Sequence, residues 1–363
     1  MRRAFRLACL GTGRASPNPL VGAVVVRDGR IVGQGTHTYA GRHHAERIAL
    51  DQAGEAARGA DLYVTLEPCS HHRRTPPCAE AVAAAGIRRV VCGMVDPNPL
   101  VSGRGIEYLR QRGIAVELAP DPGPFERLNR AFVKHITRRR PWVVLKAALS
   151  LDGRIAPAAG PARWITGESA RAAAHGLRYR CDAILAGIGT VLADDPALTC
   201  RYKRPRPAPL HRVVLDAALR IPLESRLVRT AAEHPLEIFC AARADAERQH
   251  ALEARGVKVT PLPGGEAPEA RLPLDLVLER LGAEQVTSVL VEGGREVLTE
   301  FVRQGLADEG HFFLAPKLYG GGGLPLLGDL GATTADGCPR LEVPQVRRLG
   351  PDLLIQAFFP PAG

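Results

Sequence analysis

From residue 44 to residue 118 short apolar runs of strand character alternate with segments of helical period, and a chain written this way is confined to layered α/β architectures. Residues 44–57 read as a helix, with Ile48, Leu50, Ala53 and Ala56 among its non-polar positions. Residues 61–66 read as a strand, 78–85 as a helix behind the start signal Pro76-Pro77, 89–94 as a strand, 103–112 as a helix and 115–118 as a further strand. Ahead of this alternation, residues 20–26 and 31–35 form a hairpin about the Asp28-Gly29 turn. The first ten residues are basic, but their apolar stretch is broken at Gly11. They therefore read as an amphipathic helix of a cytoplasmic protein rather than a secretory signal.

A length of 363 residues suggests two domains at ~150 residues each. The punctuation agrees: the breaker cluster Asp121-Pro122-Gly123-Pro124, a connecting helix over 125–137 and then Arg138-Arg139-Arg140-Pro141 put a boundary near 140. Domains of 1–140 and 141–363 follow. The second opens with a strand at 142–147 and continues with strand-like runs at 183–186, 212–215, 236–240, 256–259, 286–291 and 311–315. Helices at 168–179 and 296–304 make it a second α/β domain, and 260–270 reads as a surface loop.

Hydrophobic residues make up 45% of the chain without any run near the ~20 residues of a membrane helix, which removes membrane-spanning and wholly disordered readings. The net charge of +10 lies entirely in residues 1–140, where 22 Lys and Arg face 12 Asp and Glu; residues 141–363 balance 26 against 26. A basic field of this kind attracts the phosphate of a small substrate as readily as nucleic acid. Eight irregularly spaced cysteines make no disulfide framework and leave thiols free to ligate a metal.

The sharpest signal is His44-Ala45-Glu46, followed by Glu67-Pro68-Cys69 and then Cys78. One histidine and two thiolates supply three ligands of a tetrahedral zinc and leave the fourth position to water, as a catalytic site requires. Glu46 is the acid placed to move protons beside that water. The order matches the H-x-E and P-C-x-x-C signature of zinc deaminases, except that nine positions separate the cysteines here. The intervening loop brings His71, His72, Arg73 and Arg74 to the rim, a set suited to a phosphate or a polar ring. A structural zinc using His71 or His72 stays open as an alternative. His37 and His43 read as surface or second-layer residues.

In the second domain neither G-x-G-x-x-G nor a Walker sequence is present. Three runs stand out: 146–156 with Asp152-Gly153, Gly187-Ile188-Gly189-Thr190 through Asp194-Asp195-Pro196, and Val291-Glu292-Gly293-Gly294-Arg295. Backbone amides in such turns at helix starts can hold phosphate oxygens. Lys146, in an apolar strand, is either a site residue or a strand-end side chain reaching for water.

Taken together the motifs resemble the bifunctional deaminase-reductases of riboflavin biosynthesis through essentially the whole chain. The marks are Pro17-Asn18-Pro19-Leu20-Val21-Gly22, the His44 and Cys69 runs, Arg74-Thr75-Pro76-Pro77-Cys78, Asp96-Pro97-Asn98-Pro99 and Gly103-Arg104-Gly105. Two positions depart from that family's pattern: Ile48 stands where it has a second histidine, and Arg73 where it has glycine.

The resemblance implies a cytidine-deaminase-like three-layer domain followed by a dihydrofolate-reductase-like α/β domain. It implies zinc held by His44, Cys69 and Cys78, with Glu46 catalytic. Substrate contacts fall on Asn18, His72 and Arg74, and, in the reductase, on Ala162, Arg178, Leu198, Arg201 and Glu292, with Arg178 and Arg201 as phosphate grips. NADPH contacts fall on Ala148, Trp164, Thr190, Asp194 and the run Gly294, Arg295, Glu296, Val297, Leu298, Thr299 and Glu300. Deamination of a phosphorylated diaminopyrimidinone and reduction of its ribosyl group are the implied reactions, with a small-molecule substrate, no nucleic acid and no membrane, in a homo-oligomer. A nucleoside or tRNA deaminase fused to an unrelated reductase, and a zinc-stabilised RNA-binding module, are the rival readings.

Overall fold

The computed structural model describes residues 1–38, 43–70, 77–99, 101–160, 164–263 and 271–360, and the chain divides into two compact units, Met1–Arg139 and Arg140–Gly363. Among the described residues no helix is long and apolar enough to cross a membrane.

The first unit runs α1 (Arg2–Cys9), β1 (Gly22–Arg27), β2 (Arg30–Thr36), α2 (Ala45–Ala53), β3 (Asp61–Val64), α3 (Cys78–Ala84), β4 (Arg89–Cys92), α4 (Arg104–Gln111), β5 (Ala115–Leu118) and α5 (Gly123–Arg138). Its sheet has the order β2-β1-β3-β4-β5, antiparallel across β1 and parallel from β3 to β5. The period of two divides β1 between layers. Ala23 and Val25 join the core under α2 and α3, whereas Val24 packs against Ala4 and Leu7 of α1. Ala45, Ala49 and Ala53 recur every fourth position on α2 and face β2. There a methyl group at Gly33 would stand 2.0 Å from the Ala49 carbonyl oxygen, and one at Gly35 would stand 2.2 Å from that of Ala45. Only glycine permits this approach of helix to strand. The single helix expected over 44–57 ends at Ala53, with a 3-10 turn over Gly54–Ala57 after it, because Gly54 adopts φ +53°.

The second unit runs β6 (Trp142–Ser150), β7 (Arg154–Ala156), α6 (Glu168–Arg180), β8 (Ala183–Gly187), α7 (Ile188–Asp194), β9 (His211–Leu215), α8 (Arg226–Arg229), β10 (Leu236–Ala241), α9 (Ala246–Glu253), β11 (Lys258–Leu262), α10 (Leu274–Ala283), β12 (Ser288–Val291), α11 (Arg295–Arg303), β13 (Glu309–Ala315), β14 (Leu324–Pro325), β15 (Glu342–Leu349) and β16 (Asp352–Phe358). Nine strands order as β11-β10-β9-β8-β12-β6-β13-β16-β15, parallel as far as β13 and antiparallel through β16 and β15. Strands β8, β10 and β12 are buried along their whole length, as central parallel strands covered on both faces must be. The chain builds outward from β8 through β9 and β10 to β11, then returns to insert β12 between β8 and β6. Clefts for ligands open at the carboxyl ends of strands at such a reversal. The strand expected at 256–259 lies at 258–262, and the antiparallel pair β15 and β16 has no counterpart in the sequence reading.

Candidate active sites

In the first unit three sequence-distant side chains converge. His44 is the residue before α2, Cys69 follows β3, and Cys78 opens α3 behind Pro77. His44 Nδ1 lies 3.1 Å from Cys78 Sγ and 3.6 Å from Cys69 Sγ, and the Cys78 N–H donates to Cys69 Sγ at 3.3 Å. All three ligand atoms lie within 4.8 Å of one another. The two histidine-to-sulfur separations are near the ~3.5 Å edges of a tetrahedron built on zinc bond lengths, so the donor set fits a zinc ion with one position left over.

Glu46 sits two residues beyond His44, on the first turn of α2, and is buried. Burial and the neighbouring Cys69 sulfur push its carboxyl up to about 7, with the His44 ring acting in the opposite direction. The Cys78 thiol and the His44 ring stabilise Cys69 as the thiolate and hold it well below the ordinary thiol range, while the same sulfur contact and burial raise Cys78. The pair thus favours one thiolate, and a bound dication would favour both sulfurs in the ligating thiolate form.

His37 is buried, not at the surface; its ring packs edge-on against that of His44, 5.3 Å between centroids. His43 is exposed, as is Asn18. Ile48 is half-buried on α2, against β2, and takes no part in the cluster. His71, His72, Arg73 and Arg74 lie outside the described residues, as does Ala162 of the second unit.

The second unit assembles a different constellation. Register pairs Val291 of β12 with Leu145 of β6, which sets Glu292 beside Lys146, and their side chains meet at 3.4 Å. Arg178, from α6, donates Nε to Glu292 Oε1 at 2.7 Å and Nη2 to Oε2 at 2.9 Å, and gives Nη1 to the Thr199 carbonyl at 2.7 Å. Burial alone raises the Glu292 carboxyl, but Lys146 and Arg178 more than reverse this and hold it well below the usual carboxylate range. Lys146 is therefore one partner of a largely buried ion triad rather than a strand-end side chain in water. Arg178 is likewise engaged with Glu292, and of the two arginines read as phosphate grips only Arg201 is exposed.

The Arg201 N–H donates to His175 Nδ1 at 3.2 Å, and Cys200 Sγ donates to the His175 carbonyl at 3.7 Å, so α6 holds the 198–201 segment from below. Leu198 is buried with φ +48°, a left-handed conformation that costs a leucine energy and is retained beside this constellation. Arg206 caps the other end of α6, donating Nη1 to the carbonyls of Arg178, Tyr179 and Cys181.

The residues read as cofactor contacts divide. The first turns of α7 and α11 come together: a methyl group at Gly294 would stand 3.4 Å from Thr190 Oγ1, and one at Gly187 would stand 2.7 Å from Val297 Cγ2. Two helix starts at the carboxyl ends of β8 and β12 suit a phosphate-bearing cofactor. Ala148 lies on β6 and is partly exposed, Asp194 is exposed at the end of α7, and Arg295 and Glu296 open α11.

Trp164 is 59% exposed and stacked by Arg171, its ring open to a ligand. Leu298 is instead buried in the core. Thr299 Oγ1 donates to the Arg295 carbonyl and accepts from Gly328 N, and Glu300 is paired with Arg271 and Arg303 at 2.8 and 2.7 Å. The side chains of those three are thus engaged within the protein.

Sequence reasoning assigned no role to Glu67 or His175. Glu67 carried one signal, an acid set between Leu66 and Pro68 at the end of an apolar strand, where an ionised group needs partners.

A zinc-binding deaminase unit and a reductase unit with a parallel sheet therefore share one chain. Residues 1–94 match the cytidine and deoxycytidylate deaminase zinc-binding region, and residues 141–355 match the RibD C-terminal domain. The chain belongs to the RibD family of riboflavin biosynthesis proteins, bifunctional enzymes with a deaminase and a reductase. It is 42% identical to the riboflavin biosynthesis protein RibD of Aquifex aeolicus over 99% of this chain and 97% of that one. Among solved structures it is similar to Acinetobacter baumannii RibD, with a TM-score of 0.89 at 36% identity over 99% of this chain and 97% of that chain. It is similar also to a diaminohydroxyphosphoribosylaminopyrimidine deaminase/5-amino-6-(5-phosphoribosylamino)uracil reductase from Thermotoga maritima, with a TM-score of 0.85 at 35% identity and the same coverage.

Proposed function

We propose that the 1–140 domain deaminates diaminohydroxyphosphoribosylaminopyrimidine and that the 141–363 domain reduces the resulting 5-amino-6-(5-phosphoribosylamino)uracil with NADPH, opening the ribosyl ring to a ribityl chain. The observation that carries the reading is the His44, Cys69 and Cys78 cluster, with buried Glu46 on the helix turn that follows His44. These three residues would hold the zinc ion, which would supply Lewis acidity toward a water molecule. Glu46 takes one proton from that water and gives it to the ring nitrogen as the water oxygen bonds to the ring carbon; it then takes the remaining hydroxyl proton and gives it to the amino group, so that the C–N bond breaks, ammonia leaves and the oxygen stays as the ring carbonyl. Asn18, His72 and Arg74 orient the substrate.

In the second domain NADPH supplies the hydride. Ala148, Trp164, Thr190, Asp194 and the turn from Gly294 through Val297 bind it, while Leu298, Thr299 and Glu300 brace that turn. Ala162, Leu198 and Arg201 contact the substrate, with Arg201 on the phosphate. Glu292, kept ionised by Arg178 and Lys146, accepts from a substrate hydroxyl. Reaction at such a site depends on proximity and exclusion of water.

The substrate is a small phosphorylated molecule rather than nucleic acid, and the chain acts in the cytoplasm as a homo-oligomer. An outermost strand, β15, exposed along nearly its whole length with Val343 and Val346, supports self-association. The test supplies the phosphorylated diaminopyrimidine with NADPH and follows ammonia release and NADPH oxidation together. Coupled appearance of both is the expected result, and ammonia release from free nucleosides or RNA alone would overturn it.

A further inference from the structure

The Glu67 carboxylate is buried and lies in a cradle of backbone donors. Oε1 accepts from the N–H groups of Gly105 and Ile106 at 2.9 and 3.2 Å, and Oε2 from those of Gly103 and Asp96 at 2.9 and 3.1 Å. Among the described residues no Lys, Arg or His side chain pairs with it, and its partners there are four peptide N–H groups. Two oxygens with four lone-pair sites are what this arrangement uses; a glutamine in their place turns its amide donors toward two of the N–H groups.

The donors come from both flanks of the stretch between β4 and the first turn of α4, and one side chain therefore ties the stretch down. It ties it to the metal-binding turn. Glu67 is two residues from Cys69, its N–H donates to the Met94 carbonyl at 3.0 Å, and a methyl group at Gly105 would stand 2.0 Å from the Pro68 carbonyl oxygen.

We infer that Glu67 is a positioning residue for deamination: its carboxylate is an internal anion that docks the Asp96 and Gly103–Ile106 backbone against the Pro68-Cys69 turn and so fixes the wall of the pocket beside the metal ligands. This rests on the deaminase reading of the first domain. Glu67 touches neither metal nor substrate and moves no proton.

The test uses the full-length chain. Glu67→Ala empties the cradle, and elemental analysis is expected to find zinc at the parent level. The KM for the phosphorylated diaminopyrimidine rises by about tenfold or more, while NADPH oxidation from pre-deaminated substrate is unchanged. Sodium formate then restores deamination in Glu67→Ala along a saturating curve and raises its melting temperature. It does neither for the parent, and it restores nothing to Glu46→Gln. Rescue by a small untethered carboxylate assigns the role to the carboxylate in its cradle and not to the volume of the side chain.

Parent-like kinetics in Glu67→Ala, absence of any formate effect, or loss of zinc along with activity each overturn the proposal. A parent that releases no ammonia overturns the deaminase reading and the positioning role together, and is told apart because the formate-dependent melting shift persists. Should Glu67→Ala not fold, Glu67→Gln carries the decision: a raised KM with zinc retained supports the role, and unchanged KM overturns it.

Discussion

Arg178 and Glu292, 114 positions apart, meet in a two-bond fork with N–O distances of 2.7 and 2.9 Å. Both side chains are largely removed from water, so each charge depends on the other. Removing the guanidinium in Arg178→Ala leaves a carboxylate with Lys146 alone, and the second unit is expected to lose about 3 kcal/mol of stability. Arg178→Lys keeps the charge without the fork and recovers part of this. Thermal unfolding of the three proteins, followed on the reductase transition, reads the difference; equal melting temperatures for parent and Arg178→Ala would remove the fork from the account of stability.

Arg201 is exposed and engages its neighbours through its backbone N–H to His175, which leaves its guanidinium available for substrate. Arg201→Ala is expected to raise the reductase KM for the phosphorylated substrate tenfold or more, ~1.4 kcal/mol, with NADPH affinity little changed. Binding titrations in which NADPH weakens and substrate does not would mean that the two subsites have been exchanged.

The metal assignment and the proton-transfer assignment separate cleanly. One zinc per chain is expected, lost when Cys69 and Cys78 are both replaced by serine and retained in Glu46→Gln. The latter keeps the volume of the side chain but not the carboxylate, and ammonia release should fall by ~10²-fold or more. NADPH oxidation from the deaminated intermediate should be nearly unchanged. Metal content, ammonia release and NADPH oxidation are the three readouts, and joint loss of both activities would argue against two independent sites.

His175 is brought down to about 4 by burial and then by the charges of Arg178 and Arg201, and its neutral Nδ1 is the acceptor that the Arg201 N–H needs. A histidine whose pKa is depressed by folding contributes stability that is fully present above its unfolded value of 6.5 and is lost as pH falls through about 4. Acidification from neutrality should therefore loosen the second unit, and His175→Asn should flatten that dependence. Ring titration by NMR is the direct check: a midpoint near the ordinary histidine value rules the environment out, and Arg201→Ala should shift the midpoint upward.

The element order was legible because hydrophobic period and breakers acted together from residue 44 to residue 118, and His44, Glu46, Cys69 and Cys78 were legible because metal chemistry restricts residue type. What escaped the sequence was held by partners that carry no side-chain signature. Glu67 receives backbone N–H groups alone. Arg212, fully buried within a Val-rich strand, gives its two terminal nitrogens to the carbonyls of Leu227, Thr230 and His234 and to the Thr230 hydroxyl, while its Nε has no partner among the described residues. Lys146 was ambiguous until strand register supplied Glu292. The helix over 123–138 read as a connector, yet buried Asn129 on it pairs with both backbone groups of Leu20, at 2.7 and 3.1 Å, two residues beyond Asn18. The β15 and β16 pair was missed because Val343 and Val346 of β15 stand three positions apart with Pro344 between them, which breaks the two-residue period and also suits an edge.

The bare face of β2 has a consequence for how this enzyme can vary. Ala45 and Ala49 of α2 rest on Gly33 and Gly35 with no side chain between, so the placement of His44 and Glu46 has no compressible layer to absorb error. In a well-packed interior a displaced neighbour can often be accommodated by a rotamer change; here added volume has to be answered by movement of the helix itself. Gly33 and Gly35 should therefore drift across RibD sequences as slowly as the metal ligands, though neither touches a reacting atom, and laboratory evolution of the deaminase should find its tolerated changes on the outward face of α2, around Arg47 and Asp51, rather than beneath it.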